Sequence, residues 1–237
     1  MLQELEQIQI RLASKIRTEG SGLYLPNEPD LILALDIQYQ QEQAFIGGAL
    51  GTLGGANTAV WVGEGQVSFP YYPGYFCFRE GPVLYDFVRY LVDSRGQKPQ
   101  LIIIDGQGLA HPREFGVACW LGLALRIPCL GLAKKSLIPY DSNLALDKGN
   151  YSYVFQNGKK VGLVFRTQTN TNPVFVSPGH LISLEGCLQV VQLLKGDYRI
   201  PDLARWADQM ARARARNESG HYQDLGFIPS YPPPFED

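Results

Sequence analysis

The 237-residue sequence predicts a single α/β domain in which helices cover a mixed β-sheet. Strand-like runs at 31–38, 43–50 and 56–63 are separated only by short polar or Gly-rich turns, a pattern typical of an antiparallel meander. The run at 100–105 is rich in Ile and does not alternate, as expected for a strand buried on both faces of a parallel sheet. A meander joined to parallel βα units gives a mixed sheet, which is the predicted fold class.

The helices follow from apolar residues that recur every three or four positions. This spacing predicts helices at 2–18, 81–94, 112–125, 184–194 and 202–216. Pro112 suits the first position of the third helix, because the N–H that proline lacks has no partner there. Ser183 is expected to cap the fourth helix.

The remaining strands are predicted at 128–133, 151–156, 160–166 and 174–176. The middle two are expected to form a hairpin around Asn157-Gly158, a dipeptide that suits a tight turn. Residues 220–237, which end in a Pro-rich stretch, are predicted to be extended and loosely held.

The charge balance does not predict a nucleic-acid-binding protein by itself, since 21 basic residues meet 23 acidic ones. A nuclease remains compatible with this balance, because metal ions and local basic stripes can supply the positive field. One such stripe is Arg205, Arg212, Arg214 and Arg216. It is either a phosphate-contacting face or a solvated helix face.

Four cysteines lie far apart in apolar stretches without CxxC spacing, which predicts reduced core residues and no zinc site. They are Cys77, Cys119, Cys129 and Cys187. We see neither a basic region followed by an apolar run at the start nor a stretch of membrane-spanning length. We therefore expect a cytoplasmic monomer with no membrane partner.

Three acidic residues each end an apolar run: Asp36 after 31–35, Glu80 after 76–79 and Asp105 after 101–104. A carboxylate beside a buried strand is costly unless something compensates its charge. The usual compensator of clustered carboxylates is a hard cation such as Mg²⁺. The pattern thus predicts a metal-dependent phosphoryl-transfer enzyme, whereas GxxxxGK, GxGxxG and GxSxG motifs are absent from the sequence.

Several blocks resemble the endonuclease V family, the deoxyinosine-directed nucleases. The longest block is Asp105-Gly106-Gln107-Gly108-Leu109-Ala110-His111-Pro112-Arg113. The others, in the family's order, are Leu35-Asp36-Ile37, Pro70-Tyr71-Tyr72-Pro73-Gly74 with Phe78-Arg79-Glu80, Gly131-Leu132-Ala133-Lys134-Lys135, and Val176-Ser177-Pro178-Gly179-His180. The resemblance covers about residues 31–210 and implies a ribonuclease H-like fold.

The resemblance also implies an activity: Mg²⁺-dependent hydrolysis of the second phosphodiester bond 3′ to deoxyinosine in DNA, leaving 3′-hydroxyl and 5′-phosphate ends, in DNA repair. Mn²⁺ is expected to substitute for Mg²⁺. Two alternatives stay open, a ribonuclease acting on inosine-containing RNA and a non-catalytic lesion-binding protein. The intact acidic triad with His111 and Lys134 argues against the second.

The resemblance assigns catalytic roles as well. Asp36, Glu80 and Asp105 are expected to ligate one or two metal ions, and Asp208 on the last helix is a further candidate ligand. His111 is expected to orient water or contact the phosphate.

Lys134, rather than its neighbour Lys135, is expected to steady the charge of the phosphate. The choice between these two lysines rests on the resemblance. Gln107 departs from the family pattern, in which His is frequent at this position.

Lesion recognition is expected from a Pro-braced aromatic loop, with Tyr71 as the wedge that fills the gap beside an extruded base. Small residues near the site are expected to let the backbone approach that base, unless they serve only tight turns. The predicted DNA- and lesion-binding residues are Pro70, Tyr71, Tyr72, Pro73, Gly74, Gly106, Gly108, Leu132, Gly179 and His180.

Overall fold

The computed structural model describes residues 2–55, 57–232 and 234–235. In this part of the chain, nine strands are β1 Leu31–Gln40, β2 Gln43–Thr52, β3 Asn57–Gln66, β4 Leu101–Ile104, β5 Cys129–Ala133, β6 Tyr151–Gln156, β7 Lys159–Phe165, β8 Val174–His180 and β9 Gln223–Phe227. Five helices are α1 Leu2–Ala13, α2 Phe76–Arg95, α3 Val117–Leu125, α4 Leu184–Leu193 and α5 Asp202–Ala215.

The strands form one mixed sheet in the order β6-β7-β8-β5-β4-β1-β2-β3-β9. β1, β2 and β3 are an antiparallel meander, whereas β1, β4 and β5 are parallel neighbours. The predicted fold class, a single mixed α/β domain, is therefore confirmed. The carboxyl ends of β1, β4 and β5 meet at one edge of the sheet.

Each face of the sheet carries its own core. Leu33 and Leu35 of β1 belong to the core that includes α1, α2 and α3 residues, and Ile32 and Ala34 to the core that includes α4 and α5 residues. Side chains alternate between faces along a strand, so this assignment places Asp36 on the α5 face. Gly47 lets α5 lie close to the sheet, since a Cβ there would sit 2.1 Å from the carbonyl oxygen of Ala207.

Two helix starts differ from the predictions. α2 begins at Phe76, so Glu80 lies inside this helix rather than at the end of a strand. Gly81, which resembles a helix breaker in the sequence, is required for packing, because a Cβ there would sit 2.4 Å from the Trp120 ring. α3 begins only at Val117, and Pro112 lies in a turn, since Glu114 adopts a left-handed backbone with φ 51°.

The C-terminal segment also differs from the predicted loose tail. β9 pairs parallel with β3, Ile228 is buried, and the Phe235 ring packs edge-on against Trp120 at 5.2 Å. Burial of these two apolar side chains offsets the entropy lost when the segment is ordered. The part of the predicted tail at residues 233 and 236–237 lies outside the described residues.

Two local predictions are confirmed. The β6–β7 hairpin turns at Asn157 and Gly158, both with positive φ, and Ser183 caps α4 by accepting a hydrogen bond from Gly186 N at 3.0 Å. The four cysteines are free and buried. Among the helices of the described residues, we find none that combines the length and apolarity needed to cross a bilayer.

Candidate active site

Three aspartates form what we call the acid cluster. Leu35 and Ile104 are partners in the parallel β1–β4 ladder, so Asp36 and Asp105 lie side by side at the carboxyl edge. Asp208 reaches the same point from α5. One carboxylate oxygen from each aspartate lies within 4.8 Å of the other two, a spacing that a single cation can bridge.

Two basic side chains contact the acid cluster. The Nζ atom of Lys134 lies 2.5 Å from Asp105, 3.6 Å from Asp208 and 3.9 Å from Asp36. Arg212 donates from Nε and Nη2 to both oxygens of Asp208, at 2.9 Å each. The structure thus brings Lys134 to the predicted ligands, whereas Lys135 is exposed.

Burial and the adjacent Asp105 carboxylate raise the pKa of Asp36 well above its usual range. Burial also acts to raise the pKa of Asp208, but hydrogen bonds with Arg212 and Asp36 and the charges of Lys134 and Arg212 together outweigh it and lower that pKa. Burial opposes the charge of Lys134, yet its hydrogen bond to Asp105 and the charges of the three aspartates together hold the pKa of Lys134 above the usual value. The acid cluster therefore resists full ionisation, which a bound divalent cation would relieve.

Glu80 lies outside this set of three and approaches from α2 on the opposite face. Its side chain is 2% exposed, and Tyr39 donates a 2.9 Å hydrogen bond to Oε1. Its Oε2 atom has no hydrogen-bond partner among the described residues. Burial, reinforced by the charge of Asp105, raises the pKa of Glu80 well above its usual range. An unpartnered buried carboxylate oxygen is a ready ligand for a cation.

A cavity of about 320 Å³ opens beside Asp105, and we call it the base cavity. Its volume lies at the lower end of the usual range for small-molecule pockets, which suits a ligand the size of a nucleobase. The predicted lesion residues that line it are Tyr71, Tyr72, Pro73, Gly74 and Gly106, and Gln107, His111 and Lys135 line it as well.

The other predicted lesion residues do not line the base cavity. Pro70 is exposed, Leu132 is 1% exposed in the α4/α5 core, and His180 accepts a hydrogen bond from Arg17 N at Nδ1. A Cβ on Gly179 would sit 2.5 Å from the carbonyl oxygen of Ala118, so this glycine allows α3 to pack closely.

β8 supports the loop that follows β4. Gly108 N donates to Ser177 Oγ at 2.8 Å, and Leu109 N donates to Pro178 O at 2.8 Å. A Cβ on Gly108 would sit 2.1 Å from the Pro178 oxygen, so no other residue fits there. The Ser177-Pro178 pair therefore positions one side of the base cavity from behind.

A hydrogen-bonded group that we call the brace holds the aromatic loop; its members are Gln9, Gly74, His111 and Arg113. Gln9 is fully buried, donates to Gly74 O at 3.2 Å and accepts from Arg113 Nε at 2.5 Å. Arg113 also donates to Gly74 O, and its backbone N–H donates to His111 Nδ1 at 3.2 Å. These contacts tie α1, the aromatic loop and the turn before α3 together.

The brace keeps His111 neutral. Its side chain is 3% exposed, and burial, together with the charge of Arg113, lowers the pKa of His111 to about 4. The structure therefore places His111 where it lines the base cavity and supports the aromatic loop, while its roles toward water and phosphate stay predictions.

Tyr71 is the most exposed aromatic residue of the loop, with 62% of its surface accessible. Its ring packs edge-on against Phe76 at 5.7 Å, and Phe76 begins α2. A wedge residue requires rigid support and an accessible ring surface.

Sequence reasoning missed several supporting residues. Tyr39 positions Glu80, Gln38 donates to Asp208 at 3.4 Å, and Gln9 anchors the brace. The positions of Gln38 and Tyr39 carried a signal, since side chains two and three places after Asp36 in one strand must face α5 and α2 in turn. The sequence around Gln9 carried none.

Gln107 has a defined orientation. Its Nε2 donates to Lys135 O at 2.7 Å, whereas Oε1 has no partner among the described residues.

The arginine stripe divides into separate contacts rather than forming one face. Arg212 pairs with Asp208, Arg214 pairs with Glu64 and with Asp224 at 2.9 Å, and Arg205 pairs with Asp202 at 3.1 Å. Of the four arginines, Arg212 is the one that reaches the acid cluster.

Comparison with known proteins finds matches in one family. The family model for endonuclease V matches residues 11–209. Endonuclease V of Geotalea uraniireducens is 36% identical over 214 residues, which cover 89% of this chain and 87% of that protein. The crystal structure of endonuclease V from Streptomyces avermitilis has a TM-score of 0.80 and 29% identity, and the match covers 92% of this chain and 94% of that chain.

A third match concerns the fold alone, because its sequence identity is 22%. It is the crystal structure of Ciona intestinalis endonuclease V in complex with a 24-mer DNA containing an inosine followed by a ribo-adenosine. Its TM-score is 0.79, and the match covers 91% of this chain and 98% of that chain.

Proposed function

The chain belongs to the endonuclease V family of nucleases, and from this premise we propose that it is a Mg²⁺-dependent enzyme that recognises deoxyinosine in DNA. It hydrolyses the second phosphodiester bond 3′ to the lesion and leaves 3′-hydroxyl and 5′-phosphate ends, as a step of DNA repair. The observation that carries the proposal is that the acid cluster and the base cavity share Asp105.

The residues present fit a hard divalent cation. The donors of the acid cluster are carboxylate oxygens, which Mg²⁺ prefers and Mn²⁺ accepts. Asp36, Asp105 and Asp208 would hold the cation, with the unpartnered Oε2 of Glu80 as a further ligand. A bound cation would supply charge neutralisation at the scissile phosphate and activation of an attacking water.

The protein's own groups perform the remaining tasks. Lys134 places a fixed positive charge at the edge where the phosphate would lie, and Arg212 keeps Asp208 ionised. The base cavity takes the extruded base, while Tyr71 fills the gap that the base leaves in the stack. Support for an inosine ligand comes from the family and from the inosine-containing DNA bound by the Ciona intestinalis protein.

The test is a labelled duplex with one deoxyinosine, incubated with pure protein and Mg²⁺, with EDTA and unmodified duplex as controls. We expect a single Mg²⁺-dependent nick at the second phosphodiester bond 3′ to the inosine. A matching RNA is run in parallel. Cutting of the RNA alone would replace DNA by RNA as the substrate, and binding without any cutting would leave a lesion-binding protein.

A further inference from the structure

A second cavity, of about 300 Å³, lies at the carboxyl end of β7, and we call it the Arg166 cavity. Polar side chains form much of its wall, including Ser142, Arg166, Asn170, Thr171 and Asn172. Of the residues that the structure describes, none lines both cavities, and no member of the acid cluster lines the Arg166 cavity.

Arg166 gives this cavity a buried positive charge. The side chain is 6% exposed, and its guanidinium donates to Ala145 O at 2.7 Å, to Leu144 O at 3.1 Å and to Thr171 O. All three acceptors are neutral carbonyls. Among the described residues, no carboxylate pairs with Arg166 within 4.0 Å.

An unpaired buried guanidinium is costly, and the carbonyl bonds use three of its five N–H groups. These bonds fix the orientation of the guanidinium and leave its charge uncompensated. The neighbouring Ser142 hydroxyl and the side-chain amides of Asn170 and Asn172 are neutral hydrogen-bond donors. Such a cavity favours an anion, and a planar guanidinium with N–H groups to spare matches phosphate oxygens well.

The position of the Arg166 cavity relates it to the acid cluster. Pro173, which lines the cavity, accepts a hydrogen bond from Arg199 at 2.8 Å, and the same Arg199 nitrogen donates to Lys134 O at 2.5 Å. Arg166 follows β7 and Asp105 follows β4, and three interstrand steps separate these strands, or about 14 Å. This distance corresponds to about four base pairs along a duplex.

We propose that the Arg166 cavity is a phosphate subsite that binds one backbone phosphate of the nucleic-acid substrate, a few nucleotides from the cut. The inference rests on the proposed function, which supplies the nucleic acid. A backbone phosphodiester carries a single negative charge, which matches the single unpaired guanidinium. The contact does not depend on base identity, and it fixes the register of the strand relative to the acid cluster.

Two substitutions test the proposed phosphate subsite and leave Arg166 itself unchanged. Asn170→Asp and Asn172→Asp are nearly isosteric and place a negative charge at the exposed rim of the cavity. Asn170 has a left-handed backbone with φ 58°, which Asp tolerates. Asn157→Asp is the matched control, because Asn157 also has a left-handed backbone, with φ 51°, and lies in the β6–β7 turn outside the cavity.

Affinity for an inosine-containing duplex is measured by fluorescence anisotropy over a series of salt concentrations. All variants carry Asp105→Asn, which separates binding from cutting. Asn170→Asp and Asn172→Asp are expected to raise Kd about three- to tenfold and to reduce the salt slope by about 0.9, the value for one lost phosphate contact. Asn157→Asp is expected to match the parent in both. If both rim variants match Asn157→Asp in Kd and in slope, the subsite is refuted.

Arg166→Gln should reduce the salt slope in the same way, but it also breaks the three carbonyl bonds, so its Tm is measured alongside. The rim variants keep the proposal testable if Arg166→Gln does not fold. Cleavage by proteins with Asp105 intact separates the two proposals. If the wild-type protein cuts normally and the rim variants bind like the control, only the subsite is refuted. If the wild-type protein neither binds nor cuts inosine DNA, the proposed function is refuted and the subsite with it.

Discussion

The acid cluster and the brace both border the base cavity, the first through Asp105 and the second through Gly74 and His111. They differ in how well the hydrogen bonds and charges of their polar groups are satisfied. In the acid cluster, Asp36 has a raised pKa, and one carboxylate oxygen of the adjoining Glu80 has no hydrogen-bond partner in the described part of the chain. In the brace, the Gln9 amide is bonded on both sides and His111 is held neutral.

This difference indicates that the acid cluster serves the activity and that the brace serves the stability of the fold. In the acid cluster, the repulsion between Asp36 and Asp105 offsets their attraction to Lys134, so these residues add little stability until a cation binds. The brace lowers the free energy of the fold and holds the aromatic loop still. Substitutions in the acid cluster should therefore reduce mainly the activity, whereas substitutions in the brace should reduce mainly the stability of the fold.

The largest expected effect comes from the acid cluster. Asp105→Asn keeps the shape of the side chain and removes a ligand charge, so we expect cleavage of inosine DNA to fall at least about 1,000-fold, which corresponds to about 4 kcal/mol. Tm should change little, because the repulsion from Asp36 and the ion pair with Lys134 are removed together. Asp93→Asn, at an exposed ion pair with Arg89, is the control. Retained cutting by Asp105→Asn would refute the ligand assignment.

The brace should show the reverse pattern. Gln9→Leu leaves Gly74 O and Arg113 Nε short of a partner, so we expect a loss of about 3 kcal/mol in the free energy of unfolding. Gln7→Leu, on the exposed face of the same helix, should change it by less than about 0.5 kcal/mol. Denaturant unfolding measures both. Equal effects of the two substitutions would show that the brace does not stabilise the fold.

The buried His111 should make the stability of the protein depend on pH in the acidic range. Its folded-state pKa of about 4 lies below the ordinary value of 6.5, so the unfolded chain binds more protons between these values. The contribution of His111 is complete above about pH 6.5 and is lost as the pH falls toward 4. His111→Gln should remove about 2 kcal/mol of the stability loss between about pH 7 and pH 5. His180, whose pKa burial also lowers to about 4, remains in both proteins. Parallel stability curves for the two proteins would contradict the buried neutral state.

Tyr71→Ala should have the smallest effect. Loss of one stacking ring is expected to weaken binding to an inosine duplex about tenfold, with little change in the single-turnover cleavage rate at saturation. Phe155→Ala removes a ring of similar exposure on β6, away from the base cavity, and should leave the affinity unchanged. A drop in the saturated rate without a change in affinity would place Tyr71 in the chemistry instead of the wedge.

The position of Asp36 and Asp105 at one edge of the sheet could be predicted from the sequence. Each aspartate follows an apolar strand, and neighbouring parallel strands have their carboxyl ends at the same edge. The approach of Asp208 was harder to predict, since it depends on how α5 crosses β1 and β2. Small residues at that contact, Gly47 and Ala211, were the available signal. The predicted start of α2 at residue 81 was wrong, since the helix begins at Phe76 and Gly81 packs inside it against Trp120.

The brace could not be predicted, since Gln9 meets Gly74 and Arg113 across separations of 65 and 104 residues. Hydrogen bonds between such distant segments leave no periodic pattern in a sequence. The Arg166 cavity is similar, because its polar wall comes from two loops that have no regular structure.

The most direct test of the central claim, that the acid cluster is a frustrated cation site, is the Tm measured against Mg²⁺ concentration. Binding to the folded state alone should raise the Tm of the wild-type protein as Mg²⁺ is added. Asp105→Asn should begin at a similar Tm and show little further rise. The same Mg²⁺-dependent rise in both proteins would contradict the account, because the stabilising ion would then bind elsewhere.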